Sequence, residues 1–296
     1  MTEDLKSYRG NCHCGAFVFE AKHAVITKAN DCNCSYCYKQ AFVHARLTGE
    51  SDVKFEKGKL ADLAAYQFGT KGVTHLFCGS CGTSLFVKGQ MALPSGEKFD
   101  LFTVNARSFQ HGQLPNFWDM ETSTFDGASF GEPYKVPEFT GPKPEVEVEG
   151  GKFYTGSCHC GAVRVGLNSK PLDKTYQGFL TDCNCSFDNR AGCAWCYPSA
   201  NEVSIQGEDN VTFHRFNLGV WGKGFCKTCG VYLYGKHYPL PEEVVAKMSE
   251  EAKKWTVGGA HLRPLNMRIL NGLDLKELNL GHTEGYTNIP GGYVEP

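Results

Sequence analysis

Three cysteine-bearing blocks each occur twice, in the same order, and a chain built this way is expected to fold as two copies of one unit. Tyr8-Arg9-Gly10-Asn11-Cys12-His13-Cys14-Gly15-Ala16 returns as Tyr154-Thr155-Gly156-Ser157-Cys158-His159-Cys160-Gly161-Ala162. Asp31-Cys32-Asn33-Cys34-Ser35 returns as Asp182-Cys183-Asn184-Cys185-Ser186, and Phe77-Cys78-Gly79-Ser80-Cys81-Gly82 as Phe225-Cys226-Lys227-Thr228-Cys229-Gly230. The 296 residues give room for two domains, each with its own core. Between the copies, Val136 to Pro144 reads as a proline-rich extended linker, followed by the acidic stretch Glu145 to Glu149. That divides the chain into domains 1–144 and 145–296.

Short runs such as Phe17-Val18-Phe19, Ser84-Leu85-Phe86-Val87, Val163-Arg164-Val165, Val203-Ser204-Ile205 and Val231-Tyr232-Leu233-Tyr234 have strand composition and are punctuated by glycine. The expected class is mainly β with few helices. One helix is predicted over Pro241 to Trp255: Val244, Val245, Met248, Ala252 and Trp255 fall on one face, with Glu242 and Glu243 early and Lys253 and Lys254 late, as the helix dipole favours. Its apolar stripe is expected to pack on a sheet.

The Met1 to Lys6 start is acidic and polar, lacking the basic and apolar regions of a secretory signal, so a cytoplasmic or nuclear location is expected. In a reducing compartment the fifteen cysteines are read as metal ligands rather than disulfides. Cys12-x-Cys14 and Cys78-x-x-Cys81 are two thiolate pairs on separate turns, the pattern of a closed tetrahedral zinc site. Cys158, Cys160, Cys226 and Cys229 repeat it, and Gly15, Gly82, Gly161 and Gly230 stand where the turns need positive φ.

Cys32, Cys34 and Cys37 form a different group, three thiolates without a fourth cysteine nearby. Three protein donors and one open position are the mark of a reactive zinc. Three thiolates also leave zinc a poor activator of water, so the site suits an incoming thiol. His44, His75 or an acid could close it instead. Copy two departs at this point. Matched without a gap, Asp188 stands at the place of Cys37; matching Cys196 there needs an insertion of eight residues. Cys193-x-x-Cys196 could still join Cys183 and Cys185 in a closed four-cysteine site. Two zinc ions per domain are expected, and copy one is expected to carry the better active site.

Candidates for acid–base work are His44, His75, Tyr36 and Tyr38, while His13 and His159 read as turn residues between paired cysteines. The formal charge of −2 gives no footprint for nucleic acid, and no apolar run is long enough for a membrane span. No phosphate loop, nucleophile elbow or dinucleotide fingerprint is present in the sequence.

Gly10 to Gly15, Cys32 to Cys37 and Phe77 to Gly82 together resemble the family of glutathione-dependent formaldehyde-activating enzymes and the related centromere protein V. The likeness lies in a Gly-x-Cys-His-Cys-Gly opening, a Cys-x-Cys-Ser-x-Cys middle and a Phe-Cys-x-x-Cys-Gly close, and it covers most of both halves. It implies tandem zinc-binding β-tent domains like that of a Rab-associated chaperone. It also implies carbon–sulfur lyase chemistry, the reversible addition of glutathione's thiol to formaldehyde. Carried onto this chain, Cys12, Cys14, Cys78 and Cys81 are structural and Cys32, Cys34 and Cys37 catalytic. The expected partner is a small-molecule thiol such as glutathione. A zinc-stabilised binding module without turnover, or a lyase or hydrolase of specialised metabolism, are the alternatives.

Overall fold

The computed structural model describes residues 5–92, 96–288 and 292–296. In the first half, strand Val18–His23 pairs antiparallel with Lys6–Asn11 on one side and Val53–Lys57 on the other. In the second half Arg164–Ser169 lies between Lys152–Ser157 and Val203–Gln206 in the same way. The turn joining the first two strands of each small sheet carries Cys12 and Cys14, or Cys158 and Cys160. Larger antiparallel sheets stand beside them. The first half's runs in the order His44–Arg46, Lys98–Asn105, Ser84–Ala92, Val73–Phe77, Ala64–Gln67. Cys78 and Cys81 lie in its turn between Val73–Phe77 and Ser84–Ala92, as Cys226, ending Trp221–Cys226, and Cys229 stand before Tyr232–His237. The two turns of each half thus meet where its two sheets meet. Gly15, Gly82, Gly161 and Gly230 all have positive φ, between 69° and 81°, as the turn reading requires.

A third element carries the remaining cysteines. Ala29–Cys32 runs parallel to Thr122–Phe125 and leads into the short helix Ser35–Gln40; Leu180–Cys183 runs parallel to Gly281–Thr283 and leads into Ser186–Ala191. In the second half Leu180–Cys183 also pairs with Ala194–Cys196, which merges these strands into one seven-stranded sheet.

Each short helix docks on the cysteine turns of the other half. Buried Lys39 donates through Nζ to Ser157 O at 2.9 Å, and buried Arg190 through Nε to Asn11 O at 3.1 Å. Ser35 Oγ meets His159 Nε2 at 2.9 Å, and Ser186 Oγ meets His13 Nε2 at 3.1 Å. The other ring nitrogens meet Tyr66 OH at 2.8 Å and His214 Nε2 at 2.8 Å. A tyrosine near the end of each copy reaches the other copy's turn: Tyr134 OH donates to His159 O and Tyr293 OH to His13 O, both at 2.7 Å. His13 and His159 are therefore interface residues, and burial holds them neutral, with pKa values lowered to about 3 and about 4.

The apolar core crosses the same boundary. Phe77 packs with Phe187, Trp195, Phe225 and Tyr232, and Tyr36 belongs to the core cluster of the second half. A Cβ on Gly82 would meet the Phe225 ring at 2.7 Å and one on Gly230 the Phe77 ring at 2.8 Å, so the turns interlock only as glycines.

The predicted helix over Pro241 to Trp255 is two helices, Glu242–Val245 and Glu250–Thr256. Ser249 accepts from Ala252 N at 3.2 Å and starts the second, so the chain breaks where a side-chain oxygen can satisfy a helix-end amide. The stripe does not pack on a sheet: Val244 and Trp255 are exposed.

Candidate metal centres and the cavity between them

Among the described residues, four groups of side chains bring their donor atoms within 4.8 Å of one another: Cys12, Cys14, Cys78 and Cys81; Cys158, Cys160, Cys226 and Cys229; Cys32, Cys34 and Cys37; and Cys183, Cys185 and Asp188. In the four-cysteine groups the sulfurs of Cys12 and Cys14 are 3.6 Å apart, those of Cys14 and Cys78 3.7 Å, and those of Cys158 and Cys160 3.5 Å. Ligands at a tetrahedral Zn–S distance of about 2.3 Å stand about 3.8 Å from one another. Backbone amides point at the sulfurs, Phe17 N to Cys12 Sγ and Val163 N to Cys158 Sγ, each at 3.3 Å. Donor chemistry and spacing both fit a closed zinc site, and no position is left for a substrate.

The three-donor groups are built from a strand end and a helix start. Cys34 caps Ser35–Gln40, its sulfur accepting from Cys37 N at 3.4 Å, while Cys34 N donates to Cys32 Sγ at 3.5 Å. Cys185 caps Ser186–Ala191 in the same way, accepting from Asp188 N at 3.3 Å. Hydrogen bonds from Cys32 and Cys37 pull the Cys34 thiol down to about 3; Cys32 is raised by its hydrogen bond to Cys34 and by burial, and Cys37 by those to Cys32 and Cys34 and by burial. One thiolate is thus favoured even before a cation adds its charge.

Asp188 occupies the third place in copy two. Its Oδ1 accepts from Trp195 Nε1 at 2.8 Å and its Oδ2 from Cys185 Sγ at 3.3 Å. Cys193 and Cys196 are not brought to that group. Cys193 precedes strand Ala194–Cys196 and Cys196 ends it, and they belong to different core clusters, Cys193 with Phe187 and Trp195, Cys196 with Leu180 and Leu265. Residues three apart on an extended strand point to opposite faces, so this pair cannot close on one ion as Cys226 and Cys229 can in a turn.

Both three-donor groups open into one cavity of about 660 Å³ between the halves, whose lining includes Cys32 and Cys37 from one side and Cys183 and Asp188 from the other. Of the acid–base candidates, Tyr38 lines it, while His44, His75 and Tyr36 do not. Burial raises the Tyr38 hydroxyl pKa, keeping it protonated. His44 approaches Cys37 at 3.5 Å, Nε2 to Sγ, without joining the group. The Tyr36 hydroxyl is committed to Cys229 O at 2.9 Å. His75 is sealed beneath it, its ring centroid 4.1 Å from that of Tyr36, and burial lowers its pKa to about 3.

Two lining arginines escaped the sequence reading. Arg107 follows Asn105 and Arg268 follows Asn266 at the same spacing, a fourth repeated block. Arg107 Nε donates to Ala41 O at 2.8 Å and Arg268 Nε to Gly192 O at 2.7 Å, the left-handed caps that end the two short helices. These caps touch: a Cβ on Gly192 would stand 2.3 Å from that of Ala41. Gly127 is a further hidden requirement, since a Cβ there would lie 2.4 Å from Cys32 Sγ. Asn33 fixes that segment, its Nδ2 donating to Asp126 Oδ1 at 2.7 Å and its Oδ1 accepting from Ala128 N at 2.8 Å.

The sequence model of the glutathione-dependent formaldehyde-activating enzyme family matches residues 7–113 and again 153–257. Among solved structures, a crystal structure of a Rhodobacter sphaeroides protein is similar at 22% identity and a TM-score of 0.33, over 44% of this chain and 98% of that one. The family match carries the assignment. No helix among the described residues is long and apolar enough to cross a membrane.

Proposed function

The chain belongs to the glutathione-dependent formaldehyde-activating enzyme family, and on that premise we propose that it is a zinc-dependent carbon–sulfur lyase acting on adducts of a small thiol with formaldehyde or a related aldehyde. The observation that carries this reading is the Cys32, Cys34, Cys37 group, three sulfurs together with two of the residues lining the cavity. When bound there, zinc supplies a fourth position that favours the substrate sulfur as thiolate. The eight cysteines of the closed groups would hold structural ions that join the sheets. Cys183, Cys185 and Asp188 would hold a cation with a harder donor set, secondary to the first.

In the synthetic direction the substrate sulfur bonds to the aldehyde carbon, the C=O π pair moves to oxygen, and the proton that leaves sulfur ends on that oxygen as hydroxyl. Cleavage reverses each movement. Of the candidates Tyr38 lines the cavity; its protonated hydroxyl donates to Leu273 O at 3.3 Å, a long bond that the substrate oxygen would replace for Tyr38 to hold the proton there. His44 stands behind Cys37 and positions it.

The test is exchange between ¹³C-formaldehyde and its glutathione adduct, followed by NMR with purified zinc-loaded protein. Exchange faster than the uncatalysed rate, and lost in Cys37→Ser with the remaining zinc retained, is the expected result. A wild-type rate equal to background would move the protein to the binding-module reading.

A further inference from the structure

Arg107 and Arg268 both line the cavity between the halves. Among the described residues, no carboxylate forms an ion pair with either. Acids do line the cavity, but three are engaged: Asp182 with His282, Asp188 with Trp195 and Cys185, and Asp274 with Lys276 N. The fourth is Asp31, whose Oδ1 is buried without a hydrogen-bond partner. Each arginine is fixed by its Nε–H on a helix-cap carbonyl, and each guanidinium lies by an aromatic ring, Arg107 4.4 Å from that of Phe117 and Arg268 5.7 Å from that of Tyr38. Arg107 uses Nη1 on Asn189 O at 3.4 Å. Its Nη2 and both Nη groups of Arg268 have no hydrogen-bond partner among the described residues. Two fixed like charges facing one space are costly unless an anion joins them. Burial and the Arg268 charge lower the Arg107 pKa to about 10, outweighing the opposite pull of Asp182, Cys193 and Asp31.

We propose that Arg107 and Arg268, one arginine from each copy, form a paired guanidinium subsite that holds a carboxylate of the thiol substrate in this cavity. This rests on the lyase reading for the word substrate, and on the cavity alone for the anion. Guanidinium binds carboxylate through paired N–H donors, and the free Nη groups are what such a contact needs. The subsite exists only where the two copies meet, which gives the duplication a role in recognition beyond supplying a second set of cysteines.

The probe is S-methylglutathione, which has both carboxylates and no free thiol, so its binding does not depend on coordination by a thiolate. Calorimetry with the full chain should show it binding at least about tenfold more tightly than its diethyl ester, with Arg268→Gln removing about ten- to a hundredfold of affinity for the diacid and little for the ester. Arg268→Lys, which keeps charge without the fork, should recover part. Equal affinity of the wild-type protein for diacid and ester, or no binding of either, would overturn the proposal, and this comparison needs no variant to fold. Adduct exchange measured in parallel separates the two readings. Exchange that is as fast with the ester as with the diacid overturns the subsite and leaves the lyase. Preference for the diacid without any exchange supports the subsite and removes the lyase.

Discussion

The two three-donor groups share a backbone frame and differ at one ligand and its surroundings. Three thiolates, or two thiolates and a carboxylate, bring the same formal charge to a divalent cation, so charge does not distinguish them. Softness does: carboxylate oxygen suits harder cations and gives up less electron density than sulfur. The surroundings follow the ligand. Copy one sets His44 beside Cys37; copy two has Trp195 at the matching strand position, paired with Asn266 as His44 is with Asn105, and sets its indole on Asp188. An indole N–H on a carboxylate oxygen fixes the ligand and draws away some of its electron density. The same fold thus carries one site suited to an incoming thiol and a second whose third ligand is hard and already hydrogen-bonded.

Four variants break or sharpen this contrast. Cys37→Ser is expected to have the largest effect, a loss on the order of 10³-fold in exchange rate and of one zinc per chain by elemental analysis, with circular dichroism unchanged. Asp188→Asn keeps an oxygen for Trp195 Nε1 but removes the charge. It should lower metal content at copy two while changing exchange less than about tenfold, and a fall as large as that of Cys37→Ser would mean that copy two is the active site. Gly127→Ala drives a methyl into Cys32 Sγ, so copy one should lose about 1–3 kcal/mol of stability in urea unfolding, together with activity. Replacing Cys193 and Cys196 together by Ala should have the smallest effect, leaving zinc content and exchange unchanged; loss of a zinc ion would restore the closed four-cysteine site.

A pH effect separates the copies more finely, because copy two has Lys223 at the strand position matching His75. Burial lowers the His75 pKa to about 3, against about 6.5 for an exposed histidine. The unfolded chain binds this proton first on acidification, so the stability from neutral His75 is present above about pH 6.5 and is lost as the pH falls toward 3. At pH 5.5 the loss is about 1.4 kcal/mol. Urea midpoints of wild type and His75→Gln at pH 7.5 and 5.5 should differ in slope by about that amount.

The ligand pairs were legible because cysteine spacing in a turn is a local property: Cys12-x-Cys14-Gly15 and Cys78-x-x-Cys81-Gly82 each shape their own loop. The gapless match that sets Asp188 against Cys37 was legible for the same reason, since both follow a cysteine that caps a helix. Cys193-x-x-Cys196 misled because spacing is silent on whether a segment turns or extends. The Pro241 to Trp255 stripe misled because periodicity does not weigh the competing cap at Ser249. Arg107 and Arg268 were obscured by register: Asn266 lies 161 positions after Asn105, whereas Cys226 lies 148 after Cys78, with the extra helices intervening.

By itself the sequence determined the duplication, the mainly β character, and the sulfur donors within each turn, all of which depend on residues close along the chain or on repetition of the same local signal. The tertiary structure decided where those groups face. Each short helix leaves its own half to rest on the cysteine turns of the other, because Lys39 and Arg190 can be buried only where carbonyls of Ser157 and Asn11 receive them. That exchange brings the two helix caps together and opens both three-donor groups onto one cavity. Such pairings join residues more than a hundred positions apart, and no local spacing records them.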